Sequence, residues 1–301
     1  MEEWRAVSRV LKSPVELART VFEDLVTTFF PGDCSACGGP LLGVGSTSLC
    51  DGCIDALRAQ PGTLCARCGE ALDIDGVRYE RQFGAGPLLC SPCRMVPPVF
   101  ERAVAWGVYE DQMRELTQML KYERVRSVAE PLGRLLARVI EGLGDAAGGG
   151  VAMSRDVGVV VAVPLYRAKQ RQRGFNQSVL LADVALRELR RRGSAWRLRE
   201  AHGAMLRTRD TESQFGLTPG GRRRNLRGAF EVIDPAAVAG REVLLVDDIY
   251  TTGATARECA RVLRQAGAER VWVATVSRAQ REMVAAWDAG NAAETAVWDA
   301  G

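Results

Sequence analysis

Two continuous apolar runs stand out in the second half of the chain: residues 157–163 (VGVVVAV) and 242–246 (EVLLV), the second closed by Asp247. Runs with no polar alternate face belong to strands buried on both sides of a parallel sheet. Residues 102–109 (RAVAWGVY) and 271–276 (VWVATV) read as further strands. Apolar spacing of three and four predicts helices over 113–120, 125–140, 178–192 and 254–265, with Gly267 ending the last. A glycine-rich loop, EGLGDAAGGG, fills 141–150. Strands alternating with helices predict a doubly wound α/β fold, a parallel sheet flanked by helices. In such sheets ligands bind beyond the carboxyl ends of the strands.

The N-terminal third is patterned differently. Trp4, Val7, Val10 and Leu11, then Leu17, Val21, Phe22 and Leu25, recur at helical spacing, and Pro14 divides them into two short helices. Their apolar side is expected to pack on the segment that follows, or on a partner. Residues 34–97 hold few large aliphatics outside short hairpins, so their own core is thin. At 301 residues the chain is about twice the usual single-domain length. The expected organisation is a helical segment at 1–33, a cysteine-rich module at 34–97, the α/β domain at 98–279 and a tail at 280–301.

Composition narrows the class. With 47% hydrophobic and 26% charged residues the chain is neither disordered nor collagen-like. No stretch approaches the roughly 18 apolar residues of a membrane helix, and the start lacks the apolar run of a secretory signal. A cytoplasmic protein is expected. The net charge of +3 conceals a segregation: residues 166–228 carry 16 Arg and Lys against 5 Asp and Glu. Only Lys12, Lys121 and Lys169 are lysines, so the excess is arginine. An Arg-rich bias on solvated faces accounts for the total, whereas the local cluster points to phosphate.

Eight of the nine cysteines form four Cys-x-x-Cys pairs: Cys34/Cys37, Cys50/Cys53, Cys65/Cys68 and Cys90/Cys93. Two pairs supply the four thiolates of a closed structural zinc site, so two zinc ions are expected. Bound metal would then substitute for the missing core. A reducing cytosol argues against disulfides, and a redox dithiol would need one pair. Iron–sulfur ligation uses the same thiolates and stays open. The favoured pairing is Cys34, Cys37, Cys50, Cys53 for one ion and Cys65, Cys68, Cys90, Cys93 for the other, with a cross-braced arrangement as the alternative. Cys259, alone in a helical pattern, reads as a small buried hydrophobe. His202, the one histidine, is too isolated for a triad and is assigned to the surface or to packing.

The sharpest chemistry follows the second apolar run: Asp247-Asp248-Ile249-Tyr250-Thr251-Thr252-Gly253-Ala254-Thr255. Two carboxylates at a strand end can hold hydroxyls, and the Thr/Gly turn at a helix N-terminus can wrap one phosphate. Together they suit a sugar phosphate. Residues 243–255 resemble the phosphoribosyl pyrophosphate (PRPP) motif of type I phosphoribosyltransferases. With the four Cys-x-x-Cys pairs, the chain resembles the ComF family of competence-associated proteins, which join a double zinc ribbon to a phosphoribosyltransferase-like domain. The likeness runs from about Phe29 to Arg278.

Two more segments carry it. Arg173-Gly174-Phe175-Asn176-Gln177 is similar to the family's pyrophosphate loop, where Gly174 frees backbone amides and Arg173 supplies charge. Residues 207–214, running on to Arg222-Arg223-Arg224-Asn225-Leu226, resemble the mobile loop that closes over PRPP. The resemblance implies that Asp247, Asp248 and Arg173 serve catalysis. It implies that Asp247, Asp248, Thr251, Thr252, Gly253, Ala254, Thr255, Arg173 and Gly174 bind PRPP together with magnesium. Displacement at ribose C1 needs positioning and charge stabilisation and no nucleophilic side chain. The phosphoribosyl acceptor is not legible, since no base-reading hood is recognisable. A glutaminase partnership lacks its N-terminal cysteine. The alternative is a non-catalytic module that senses PRPP or binds single-stranded DNA and competence-machinery proteins. Base-stacking aromatics are sparse in the basic stretch (Tyr166, Phe175, Trp196, Phe215).

Overall fold

A computed structural model describes residues 32–41, 49–73, 86–145, 151–156, 158–210 and 219–280. The expected helices at 3–30, most of the tail and the centre of the expected mobile loop (211–218) lie outside the described residues. In chain order, a small hairpin of β1 (Gly32–Asp33) and β2 (Pro40–Leu41) leads to short helices α1 (Asp51–Asp55) and α2 (Ser91–Met95). Next come β3 (Arg102–Val108), α3 (Asp111–Gln118), a π-helical turn at Met119–Glu123 and α4 (Ala129–Glu141). They are followed by β4 (Gly158–Ala162), α5 (Arg167–Arg173), α6 (Gln177–Arg191), β5 (Arg199–Glu200) and β6 (Met205–Arg207). The chain continues through α7 (Pro219–Leu226), β7 (Phe230–Val232), β8 (Glu242–Tyr250), α8 (Ala254–Gln265) and β9 (Arg270–Arg278).

Five strands form one sheet in the order β3-β9-β8-β4-β5. Every pairing in it is parallel. β6 and β7 make a separate antiparallel pair. The apolar runs fill the centre: all five residues of β4 and the first five of β8 are buried. Because successive side chains alternate, the sheet has two separate cores. Val160, Leu244, Val246 and Trp272 face the layer of α3, α4 and α6. Val159, Val161, Val243 and Leu245 face the layer of α8 and β6–β7.

The expected α/β fold is present, with local differences. β8 does not stop at Asp247 but runs to Tyr250, because Asp247, Ile249 and Tyr250 keep their register with Thr275, Ser277 and Arg278 of β9. The expected helix over 125–140 is divided: Arg126–Val128 is a 3-10 turn and the α-helix starts at Ala129. Pro131 fits there because a first-turn residue needs no intrahelical N–H bond. The expected helix over 113–120 begins earlier and gives way to the π-helical turn, which Arg124 closes in the left-handed region (φ 61°).

The cysteine-rich segment packs on the sheet at β3. The Gln60 N–H donates to the Trp106 carbonyl (2.7 Å), and the Ala103 N–H donates to the Arg67 carbonyl (2.8 Å). The Arg67 guanidinium reaches back to the carbonyls of Phe100 and Glu101. Cys34 and Cys53 join the core on the α4–α6 side, whereas Cys65, Cys68, Cys90 and Cys93 join the core on the α8 side.

Candidate functional site

The carboxyl end of β8 delivers both acidic side chains, and the pleat sends them to opposite sides. Asp247 lines a small pocket whose other walls include Thr251, Gly253 and Thr255. One of its oxygens, Oδ1, accepts from the Ser178 hydroxyl (2.9 Å) and from the Asp248 N–H (3.0 Å). Asp248 turns the other way, is only 3% exposed, and meets Lys121 Nζ at 3.1 Å. Its second oxygen is buried and has no hydrogen-bond partner among the described residues. Burial first, and the charge of Asp248 second, push the Asp247 carboxyl up to about 7 against the pull of Lys121 and the Ser178 bond. Burial alone would lower the Lys121 ammonium, but Asp248 and Asp247 outweigh it and hold it above its ordinary value.

Beyond Tyr250 the chain turns through Thr251, Thr252 and Gly253 into α8. This helix starts after Gly253, which offers no side-chain cap, and its N-terminus faces the turn. Among the described residues the buried Thr252 hydroxyl has no hydrogen-bond partner. Gly253 sits at φ +74°, and a Cβ there would stand 2.1 Å from the Tyr250 hydroxyl, so only glycine fits. An uncapped helix N-terminus and an unspent hydroxyl beside a carboxylate suit a phosphorylated sugar.

The segment similar to a pyrophosphate loop approaches from β4. Arg173 is the last residue of α5, and Gly174 reverses the chain at φ +83°. Asn176 then caps α6: its side chain accepts from the Ser178 N–H (2.9 Å) and donates to the Val163 carbonyl (2.9 Å). This cap seats Ser178 against Asp247. Arg173 hydrogen-bonds Gln177 and lies 5.8 Å from the Tyr122 ring centroid. Its partners among the described residues are therefore neighbours of the acidic pair, not the pair itself. Arg124 and Arg126, on the segment after Lys121, hydrogen-bond the carbonyls of Gln172 and Gly174.

The eight cysteines gather as Cys34, Cys37, Cys50, Cys53 and as Cys65, Cys68, Cys90, Cys93, each set with its sulfurs within 4.8 Å of one another. The sequential pairing is the one seen, and the cross-braced one is not. The Sγ–Sγ separations are 3.8 Å for Cys34–Cys53, 3.7 Å for Cys37–Cys50 and 3.6 Å for Cys68–Cys90. A tetrahedron with Zn–S bonds of about 2.3 Å has edges of about 3.8 Å, whereas a disulfide would need about 2 Å. The backbone supports thiolates, with N–H groups of Cys50, Gly39 and Cys90 pointing at Cys34, Cys37 and Cys65 sulfurs. The sites fit zinc.

Asp183, Glu200 and His202 form a third gathering of ligand-type atoms. His202 Nδ1 accepts from the Ala162 N–H (3.1 Å), which leaves the ring proton on Nε2, facing Asp183 at 3.2 Å. Both nitrogens are thereby engaged in tying β4 to α6, a packing role. Cys259 is fully buried, and burial raises its thiol well above the ordinary value.

Comparison with known proteins places this geometry. Residues 210–291 match the family described as "Phosphoribosyl transferase domain". The chain is 33% identical over 243 residues to the DNA utilization protein YhgH of Escherichia coli strain K12, covering 81% of this chain and 95% of that one. The chain belongs to the ComF family. Competence protein F of Haemophilus influenzae is 29% identical over 252 residues, covering 83% of this chain and 99% of that protein. A shorter likeness, 60% over 38 residues, links 12% of this chain to 21% of the adenine phosphoribosyltransferase of Erythrobacter litoralis.

In this ComF-family chain the structure adds residues that sequence reasoning passed over. Lys121 is the partner of Asp248, and its one outward signal was being one of three lysines in an arginine-rich chain. Its π-helical turn has no sequence signature, though such turns often mark functional sites. Ser178 carried no signal at all, because its role depends on where α6 begins. Arg278 closes β9 almost completely buried, against Cys68 and Tyr250.

Proposed function

We propose that this ComF-family chain binds PRPP, with magnesium as its counterion, in the pocket between Asp247 and the Thr251–Thr255 turn. The observation that carries the reading is Asp247 facing that turn at the uncapped start of α8. The turn and the α8 amides would take the 5′-phosphate, and Asp247 would accept a ribose hydroxyl. Asp248, paired with Lys121, would stand behind Asp247 on the other side of β8. Gly174 and Arg173 would border the pyrophosphate. Magnesium would neutralise charge on the departing pyrophosphate. Phosphoribosyl transfer then breaks the bond from C1 to pyrophosphate and forms one from C1 to an acceptor, which gives up its proton.

The names of the relatives, a DNA utilization protein and a competence protein, suggest that this chemistry serves incoming DNA. The protein would work in a reducing cytoplasm, its two four-cysteine sites holding structural zinc. Among the described residues no helix is long and apolar enough to cross a membrane. A second reading, a PRPP-sensing or single-stranded-DNA-binding module without transfer, is favoured by one feature. Arg167 and Arg171 stand exposed on α5 with Lys169 half-buried between them, and Arg173 at the end of that helix lies over the ring of Tyr122, which is 73% exposed.

Calorimetry of zinc-loaded protein with PRPP and magnesium tests the main reading. Binding lost in Asp247→Asn/Asp248→Asn supports it, and equal binding by both proteins removes it. A salt titration of single-stranded DNA binding tests the second.

A further inference from the structure

The second cysteine cluster is joined to the floor of the phosphate turn by two buried side chains. Arg278 is 3% exposed. Its guanidinium donates to the Cys68 carbonyl (2.6 Å), approaches the Cys68 sulfur at 3.7 Å and pairs with the Glu70 carboxylate. On its other side the same cation lies 4.4 Å from the centroid of the Tyr250 ring. Tyr250 in turn lies directly under Gly253, at a distance that leaves no room for a Cβ. Phe100, fully buried, holds the Tyr250 ring edge-on at 6.3 Å. The contacts therefore run without a gap from Cys68 through Arg278 and Tyr250 to Gly253.

We propose that the metal centre at Cys65, Cys68, Cys90 and Cys93 positions the Thr251–Gly253 turn for a phosphate monoester, with Arg278 and Tyr250 as positioning residues. This rests on the reading of that turn as a phosphate site. The physical basis is charge. Four thiolates on one zinc ion leave a net negative centre, and a buried guanidinium against Cys68 is its nearest compensation. Held there, the cation fixes the Tyr250 ring beneath it, and the ring fixes the turn. Without the metal the four sulfurs lose their common anchor, Arg278 loses its fixed partner at Cys68 and the turn loses its floor. Sites coupled through such contacts respond in both directions.

The experiment is amide hydrogen exchange of the full chain without ligand, followed through the peptide covering residues 250–256. Zinc content is measured in parallel. Arg278→Met is expected to keep two zinc ions yet exchange about tenfold faster at 250–256 than wild type, by easier local opening. Arg278→Lys, which keeps a cation over the ring, is expected to restore most of the protection. Should Arg278→Met fail to fold because Glu70 is stranded, Arg278→Met/Glu70→Gln removes the unpaired carboxylate. Wild-type protection in a zinc-loaded Arg278→Met or double variant overturns the proposal. With cobalt in place of zinc, PRPP is expected to shift the thiolate-to-cobalt absorption of wild type but not of Arg278→Met. A wild type that binds no PRPP removes the ligand reading, while the exchange result still decides the coupling.

Discussion

Lys121 Nζ and Asp248 Oδ1 meet at 3.1 Å, one from a π-helical turn and the other from the end of the central strand, and both side chains are largely buried. The contact ties the π-helical turn that follows α3 to the end of β8. Removing one partner of a buried pair strands the other charge, which costs about 3–5 kcal/mol. Lys121→Met is therefore expected to lower unfolding stability by that amount in a urea titration. Lys121→Met/Asp248→Leu is expected to recover most of the loss. A double variant as unstable as the single one would contradict the pairing.

On the proposed reading, Asp247 would make ligand binding depend on pH. Its carboxyl titrates near 7 in the folded chain against an ordinary 3.8. The folded state thus keeps a proton that the unfolded state gives up, so this group's contribution to stability is full below about pH 4 and is lost as pH rises to 7. Charged Asp247 is the form that would accept a ribose hydroxyl. PRPP affinity is expected to rise between pH 6 and 8 more steeply in wild type than in Asp247→Asn. Parallel profiles for the two proteins would count against this assignment.

Gly253 and Gly174 both stand at positive φ, but only Gly253 also lacks room, whereas nothing lies within 4 Å of a Cβ built on Gly174. Gly174→Ala is expected to cost about 1 kcal/mol, the left-handed penalty alone. Gly253→Ala must displace Tyr250 as well and is expected to cost at least about 2 kcal/mol and to abolish phosphate binding. Thermal unfolding of the two variants checks the order.

The two cysteine sites are expected to release two zinc ions per chain to a mercurial titration. Cys37 is exposed, whereas Cys93 is buried in the α8-side core. Cys37→Ser is expected to lose one zinc with a small fall in melting temperature. Cys93→Ser is expected to lose the other with a larger fall, because the core beside β8 opens with it.

Local chemistry was legible in the sequence, and meetings between distant residues were not. The run from Val243 to Thr255 announced a buried strand, an acidic end and a Thr/Gly turn because each feature is written in adjacent residues. The Cys-x-x-Cys pairs announced two tetrahedral sites for the same reason. The opposite facing of Asp247 and Asp248 was within reach too, had the strand been carried on to Tyr250. Its extension is set by pairing with Thr275–Arg278 on β9, which no local pattern records. Lys121, Ser178 and Arg278 owe their places to the packing of α3, α6 and β9, and a single sequence carries no trace of those contacts.

The docking of Gln60 and Arg67 along β3 has a consequence for the fate of the protein in a metal-starved cell. β3 is an edge strand of the all-parallel sheet, and its Ala103 N–H and Trp106 carbonyl are bonded by a segment whose shape thiolate-bound metal would hold. Stripped of that covering, the strand would offer a bare template to any extended chain nearby. Zinc depletion or thiol oxidation would then remove the protein by aggregation before the sheet itself unfolded.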